Sequence, residues 1–184
     1  HLRNDLNSLE PIEIYEDNQT VTFKKEISLN NAYYSYPNSS RQALKNINLT
    51  IEKNSTIGLV GATGSGKTTI VDLILGLLKC QKGVLVVDGK ILNNENLRSW
   101  QKKIGYVPQQ IYLSDSTIAG NIAFGVDSKN VNQEAVEQAA KIANIHDFVV
   151  NELPLKYKTI VGERGIRLSG GQRQRIGIAR ALYF

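Results

Sequence analysis

Residues Gly61 to Thr68 read GATGSGKT; the apolar run STIGLV precedes them and TIVDLILGLL follows closely. The octapeptide fits G-x-x-x-x-G-K-[ST], set between a short buried strand and a helix. No other stretch limits the fold as much, because such a loop must be fed by a strand and must leave as a helix. Successive backbone N–H groups in a tight glycine turn form a concave anion site. The helix N-terminus adds its dipole and its unsatisfied N–H groups. Gly61, Gly64 and Gly66 permit the dihedrals and the close approach that side chains would block. Lys67 is then expected to reach the β- and γ-phosphates of a nucleotide, and Thr68 to offer its hydroxyl to Mg²⁺. An ordinary turn containing Lys-Thr is the bland alternative. The bare pattern arises by chance in on the order of one chain in a hundred, and the strand–loop–helix setting makes it rarer.

The rest of the chain reads around that unit. Residues 1–25 are polar and weakly periodic, as a linker would be. EISLNNAYYSY and LKNINLTIEKN alternate like strands, with PNSSRQ as the turn between them. After the loop, Ile70, Leu73, Ile74, Leu77 and Leu78 recur at helical spacing, and Gly83 fits the stop. VLVVDGK reads as a strand ending in an Asp-Gly turn, ENLRSWQKK as a short helix, and IGYVPQQ as a strand running into a loop. NVNQEAVEQAAKIANI puts Val131, Ala135, Val136, Ala139 and Ile142 on one helical face, with Asn132 as its cap and Pro154 limiting the next helix. At 184 residues one domain is the default. No stretch approaches the ~20 apolar residues of a membrane span; Asp72 interrupts the greasiest run, Ile70 to Leu78. The single cysteine, Cys80, excludes an internal disulfide. The net charge of +5 is scattered, with no basic run, so nucleic acid is not an expected partner.

Two further features concern phosphate. VLVVD ends at Asp88 and imitates the carboxylate that holds a Mg²⁺ shell. Gly89 follows at once and no second carboxylate does, so Asp88 reads as a turn residue. LSGGQ, Leu168 to Gln172, is a hydroxyl and two glycines opening a helix. Alone it reads as a helix capped by Ser169. Paired with a phosphate loop about a hundred residues earlier, it is far more specific.

Taken together these stretches resemble the nucleotide-binding domain of an ABC transporter of the exporter type, from about Glu26 to Phe184. AYYSYP resembles the aromatic A-loop, with Tyr36 stacking on adenine. GATGSGKTT resembles the Walker A, which implies nucleotide contacts from Gly61, Thr63, Gly64, Ser65, Gly66, Lys67, Thr68 and Thr69. YVPQQ resembles the Q-loop, with Gln109 near Mg²⁺. VGERG resembles the exporter X-loop, centred on Glu163. LSGGQRQR resembles the signature, which implies contacts from Ser169, Gly170, Gly171 and Gln172 to the nucleotide held by another copy. The resemblance implies an α/β P-loop NTPase fold of ABC type: an antiparallel β subdomain, an incomplete RecA-like core, and a helical subdomain over about 114–170. It implies ATP and Mg²⁺ as cofactors, a head-to-tail dimer with a second such domain, a transmembrane domain in the same chain, and a place at the cytoplasmic face of a membrane. Each residue also has a plainer reading. Tyr36 fits a strand aromatic, Gln109 a loop polar residue, Glu163 and Arg164 a surface ion pair, and Arg173 and Arg175 a solvated pair.

In that family the signature helix leads to an apolar strand ending in Asp-Glu, and a later histidine nears the γ-phosphate. Neither follows ARALYF, and neither His1 nor His146 is placed to substitute. The catalytic set is therefore Lys67 and Gln109 without the general base. The expectation is a piece of a longer exporter, one whose wording is similar to lipid or lipid-linked oligosaccharide exporters. By itself it would bind ATP weakly and hydrolyse it poorly. A soluble ABC ATPase acting on nucleic acid or ribosomes, and a non-hydrolysing nucleotide-binding module, are the competing readings.

Overall fold

The computed structural model describes residues 20–37, 39–162 and 168–184. Most of the segment read as linker, and the VGERG stretch around Glu163, lie outside them. The chain divides into two compact units, meeting in sequence between Lys103 and Ile104.

The first unit is a four-stranded antiparallel sheet with two helices. β1 (Glu26–Tyr34) and β2 (Leu44–Glu52) are the two alternating stretches of the sequence, joined by the predicted turn. β3 (Lys82–Val87) and β4 (Lys90–Ile91) complete the order β2-β1-β3-β4. Asp88 and Gly89, both at positive φ (48° and 80°), make the tight turn of the β3–β4 hairpin. The Asp88 carboxylate accepts the backbone N–H groups of Lys24, of Lys25 at 2.8 Å and of Glu26 at 2.9 Å. These donors, Glu26 first, hold its pKa below the ordinary carboxylate value. The imitation metal ligand thus fastens the entry to β1. At the end of the expected linker two side chains are anchored: Val21 is buried, its N–H donating to Ser99 Oγ, and Phe23 meets Trp100 edge-on.

α1 (Lys67–Ile74) leaves the glycine loop as expected but stops earlier than the apolar spacing implied. Gly76, at φ +67°, turns the chain; its N–H bonds the Leu73 carbonyl and that of Leu77 the Asp72 carbonyl. This is a Schellman ending. A Cβ on Gly76 would also lie 2.3 Å from Leu97 Cδ1 in α2 (Leu97–Gln101). Leu77 is consequently exposed, and the stop lies at Gly76, not Gly83.

The second unit is helical: α3 (Ile118–Ile122), α4 (Gln133–Ile142), α5 (His146–Asn151) and α6 (Gly170–Tyr183). α4 is capped by Asn132, whose Oδ1 accepts the Ala135 N–H at 3.1 Å. Its inner face is Val136, Ala139, Ala140 and, just beyond, Ala143, while Ile142 points out. The core also takes Ile118, Ile122, Val149 and Ile176. Asn121, fully buried, is satisfied on all sides: it exchanges bonds with Ser114, donates to the Thr117 carbonyl, and receives Arg180. Burial lowers the Arg180 pKa, and its guanidinium lies 4.7 Å from the Phe124 ring.

Two predicted strands are absent. Residues 55–60 and 104–110 have no strand pairing among the described residues. Val60 is 98% exposed, the reverse of a buried strand. A strand's hydrogen bonds all go to neighbours, so an apolar run without a paired edge stays an extended segment.

Candidate functional site

The first unit builds an open cleft of about 290 Å³ lined by Tyr36, Ser39, Arg41, Ala43, Gly64, Gly66, Lys67, Thr68 and Thr69. Its floor is the start of α1. Gly66 stands at the N-cap in the left-handed region (φ 91°, ψ 8°) and offers no side chain to cap the helix. The first intrahelical donor is Ile70, to the Gly66 carbonyl. The N–H groups of Lys67, Thr68 and Thr69 therefore precede the intrahelical ladder, the geometry that attracts an anion. Gly66 has no substitute: a Cβ there would sit 2.8 Å from the Ala43 carbonyl oxygen and 2.7 Å from Leu44 Cδ2. Gly64 also has positive φ, 77°, but faces open space.

Lys67 folds over the loop. Its Nζ donates to the carbonyls of Gly61 and Ala62, each at 2.8 Å, and approaches Ser65 Oγ at 3.5 Å. These bonds draw two carbonyls onto the ammonium. Thr68 is exposed beside it, and so is Thr63. Thr69 is buried, and its hydroxyl meets the Tyr36 hydroxyl at 3.1 Å. Tyr36 is thereby tied to α1 from 33 residues away, with its ring edge-on to Tyr34 at 5.1 Å and 43% exposed. The fold thus brings the proposed adenine platform and the glycine loop into one cleft. Ser39, Arg41 and Ala43 lie in a stretch whose sequence reads only as a turn. Their signal was the predicted hairpin itself, which must return its loop beside the loop's own Tyr36.

Among the described residues no carboxylate lines this cleft, while Lys67 and Arg41 do. Among the described residues no cluster of His, Cys, Asp and Glu could hold a metal ion.

The second unit holds the other sequence-derived residues. Ser169 caps α6 reciprocally with Gln172: Ser169 Oγ accepts the Gln172 N–H at 3.2 Å, and Gln172 Oε1 accepts the Ser169 N–H at 2.8 Å. Gly171 has nothing within 4 Å of an added Cβ, and Gly170 only the tip of Arg173 at 4.0 Å. Arg173 donates to the Leu168 carbonyl at 2.7 Å and is half-buried, whereas Arg175, which donates to the Asn144 carbonyl at 3.2 Å, stays exposed. A polar cavity of about 410 Å³ gathers Gln109, Gln110, Ile111, Gly170, Arg173 and Gln174. Gln109 thus lies near the start of α6 within its own unit. Ile111 fits against Gly177, where a Cβ would come within 2.5 Å of Ile111 Cδ1. His146 is structural: its Nδ1 lies 2.8 Å from the Tyr157 hydroxyl. Burial first, then Glu137 and Asp147, push the Tyr157 pKa up to about 12, so that phenol stays protonated.

Comparison with known proteins gives a consistent result. Residues 44–183 match the family model described as "ABC transporter". The chain is 44% identical over 160 residues to an "ATP-dependent lipid A-core flippase" of Saccharophagus degradans, covering 87% of this chain and 27% of that protein. It is 43% identical over 157 residues to "ATP-binding cassette sub-family B member 5" of Mus musculus, covering 85% of this chain and 12% of the relative. Among solved structures, that of a bacterial Atm1-family ABC exporter with ATP bound superposes with a TM-score of 0.79 at 34% identity, over 89% of this chain and 28% of the other. The chain thus spans little more than a quarter of the flippase.

Proposed function

The chain belongs to the ABC transporter family, and we propose that it is the ATP-binding domain of an exporter, gripping ATP in the Tyr36–Lys67 cleft. One observation carries this reading. An aromatic face, an uncapped helix N-terminus and an unopposed lysine line a single cleft without a carboxylate. Adenine would stack on Tyr36. The phosphates would take the N–H groups of Gly64 to Thr69, and Lys67 would exchange its bonds to Gly61 and Ala62 for phosphate oxygens. Ser65 and Thr63 would border that loop. Thr69 would act mainly by holding Tyr36.

Mg²⁺ would enter with the nucleotide. Thr68 supplies a hydroxyl suited to it, and Gln109 is the proposed second ligand. With few protein oxygens, the phosphates would complete most of its shell. The ion would neutralise phosphate charge. This chain's own residues would position the phosphates; the cleft holds no carboxylate to activate water, which supports slow hydrolysis by these residues alone.

The bare glycines at the start of α6 support a role outside this cleft. Gly170 and Gly171 have ordinary helical backbone and, among the described residues, no neighbour that demands their smallness. Glycine in a helix costs about 1 kcal/mol relative to alanine. A surface kept bare at that cost suits close approach from outside. Ser169, Gly170 and Gly171, with Gln172 holding their geometry, would meet the nucleotide in the glycine loop of a second copy, forming a head-to-tail dimer. Residues 26–184 would be one nucleotide-binding domain, with its helical subdomain at about 114–170. A segment within 1–25 would lead to a transmembrane domain, setting the dimer at the cytoplasmic face of a membrane. The flippase names among the relatives support a lipid substrate.

The test is ATP binding and ATP turnover by the full-length protein, unchanged and as Lys67→Ala. Binding and turnover that both collapse in the variant fit the proposal. Binding without turnover in the unchanged protein would leave a non-hydrolysing module, and no binding at all would end the reading.

A further inference from the structure

The cleft contains a second cation that none of the recognised motifs includes. Arg41 lies on the β1–β2 hairpin loop, five residues after Tyr36, and lines the cleft together with Gly64, Lys67 and Thr68. Its backbone is fixed. Ser39 Oγ accepts the Arg41 N–H at 3.2 Å and donates to the Arg41 carbonyl at 3.0 Å. The Ser39 N–H bonds the Tyr36 carbonyl at 3.2 Å, and the Ala43 N–H bonds the Tyr34 carbonyl at 2.9 Å. The loop that presents Tyr36 therefore presents Arg41 in a defined place. Its guanidinium, by contrast, meets no carboxylate and no hydrogen-bond acceptor among the described residues.

An arginine that serves the fold usually finds an acceptor, as Arg173, Arg175 and Arg180 do here. Arg41 instead adds positive charge to a cleft that already has Lys67 and the positive end of α1. Such an arrangement raises the free energy of the empty protein through like-charge repulsion, and a polyanion relieves it. A guanidinium can also take two phosphate oxygens in a rigid planar fork, a geometry that the point charge of an ammonium lacks.

We infer that Arg41 is a further nucleotide-binding residue, pairing with the phosphate chain of the nucleotide from the hairpin side of the cleft. This rests on the reading of the cleft as an ATP site. Arg41 opposes Lys67 across the ligand and makes affinity depend on the charge of the nucleotide rather than on its base.

The experiment is calorimetric titration of the full-length protein with ATP and with adenosine, for the unchanged chain and for Arg41→Ala, Arg41→Lys and Lys67→Ala. Arg41→Ala is expected to weaken ATP roughly tenfold, the effect of losing a charge-assisted bond. Arg41→Lys recovers part of that loss, and adenosine is unaffected. Raising the salt concentration narrows the gap between the unchanged protein and Arg41→Ala. Unaltered ATP affinity in Arg41→Ala overturns the inference while leaving the site intact. An equal loss for adenosine overturns it as well, because the contact is then to the base. If the unchanged protein binds no ATP, or Lys67→Ala binds it as well as before, the site itself is misread and Arg41 falls with it. Arg41 is exposed, so thermal melting of the variants should match the unchanged protein.

Discussion

Two helices in this chain start at glycine-bearing phosphate-type motifs, and their beginnings are built in opposite ways. α1 begins at Gly66 with no side-chain cap, so its first donors stay open. α6 begins at Ser169 with a complete capping box, so Gln172 and Ser169 satisfy one another. The glycines differ in kind too. Gly66 is forced, by positive φ and by the Ala43 carbonyl against it, whereas Gly171 is under neither constraint. The first terminus is left unsatisfied, open to the ligand proposed for it. The second is capped by its own side chains at Ser169 and Gln172, and it presents a bare surface at Gly170 and Gly171. Similar composition, glycines and a hydroxyl ahead of a helix, thus yields two different helix starts, one capped by its own side chains and one not.

The contrast breaks most visibly at Gly66. Gly66→Ala must place a Cβ against backbone at a left-handed φ, and it should destabilise the first unit by about 3 kcal/mol. It should also abolish nucleotide binding; urea unfolding and ATP titration check both. A well-folded Gly66→Ala that binds ATP would mean the open turn is not what holds the nucleotide. Removing the other cap is milder. Ser169→Ala should lower stability by about 1 kcal/mol, read from the same unfolding curves, with little change in ATP affinity at this chain's own cleft. Gly171→Ala should have the opposite sign to Gly66→Ala. With open space around it, the added methyl should stabilise α6 by about 0.5 kcal/mol. In the proposed head-to-tail dimer it should nevertheless slow ATP turnover. Destabilisation at Gly171 would show that its smallness serves the chain's own packing.

The smallest effects separate the two units by pH. Asp88 has its folded pKa lowered, so its contribution to the first unit is present above the ordinary carboxylate pKa and fades as the pH falls through about 4 and below. Tyr157 has its folded pKa raised to about 12. Its contribution to the second unit is complete below about pH 10 and is lost as the pH rises toward 12. Asp88→Asn should flatten the acid limb and Tyr157→Phe the alkaline limb, measured as melting temperature against pH.

Legibility followed range along the chain. The caps at Asn132 and Ser169, the Asp88–Gly89 turn and the strands of the first hairpin were readable, because each depends on a few consecutive residues. The end of α1 is set by tertiary contact rather than by local spacing. Apolar spacing carried the reading through Leu77 and Leu78, whereas Gly76 and its contact with Leu97 stopped the helix. The outward turn of Ile142 has a similar cause, since the core of the second unit selected the neighbouring face through Ala140 and Ala143.

The sequence by itself determined the chemistry of the phosphate loop, the capping of α6 and the family. Those rest on residue types at fixed short spacing, where backbone geometry leaves little choice. Only the tertiary structure decided that Tyr36 reaches Thr69, that Arg41 shares the cleft with Lys67, and that 55–60 and 104–110 remain unpaired. Each of these depends on partners distant in the chain. A strand's hydrogen bonds, and a charge's partner or lack of one, are properties of the neighbours that folding supplies.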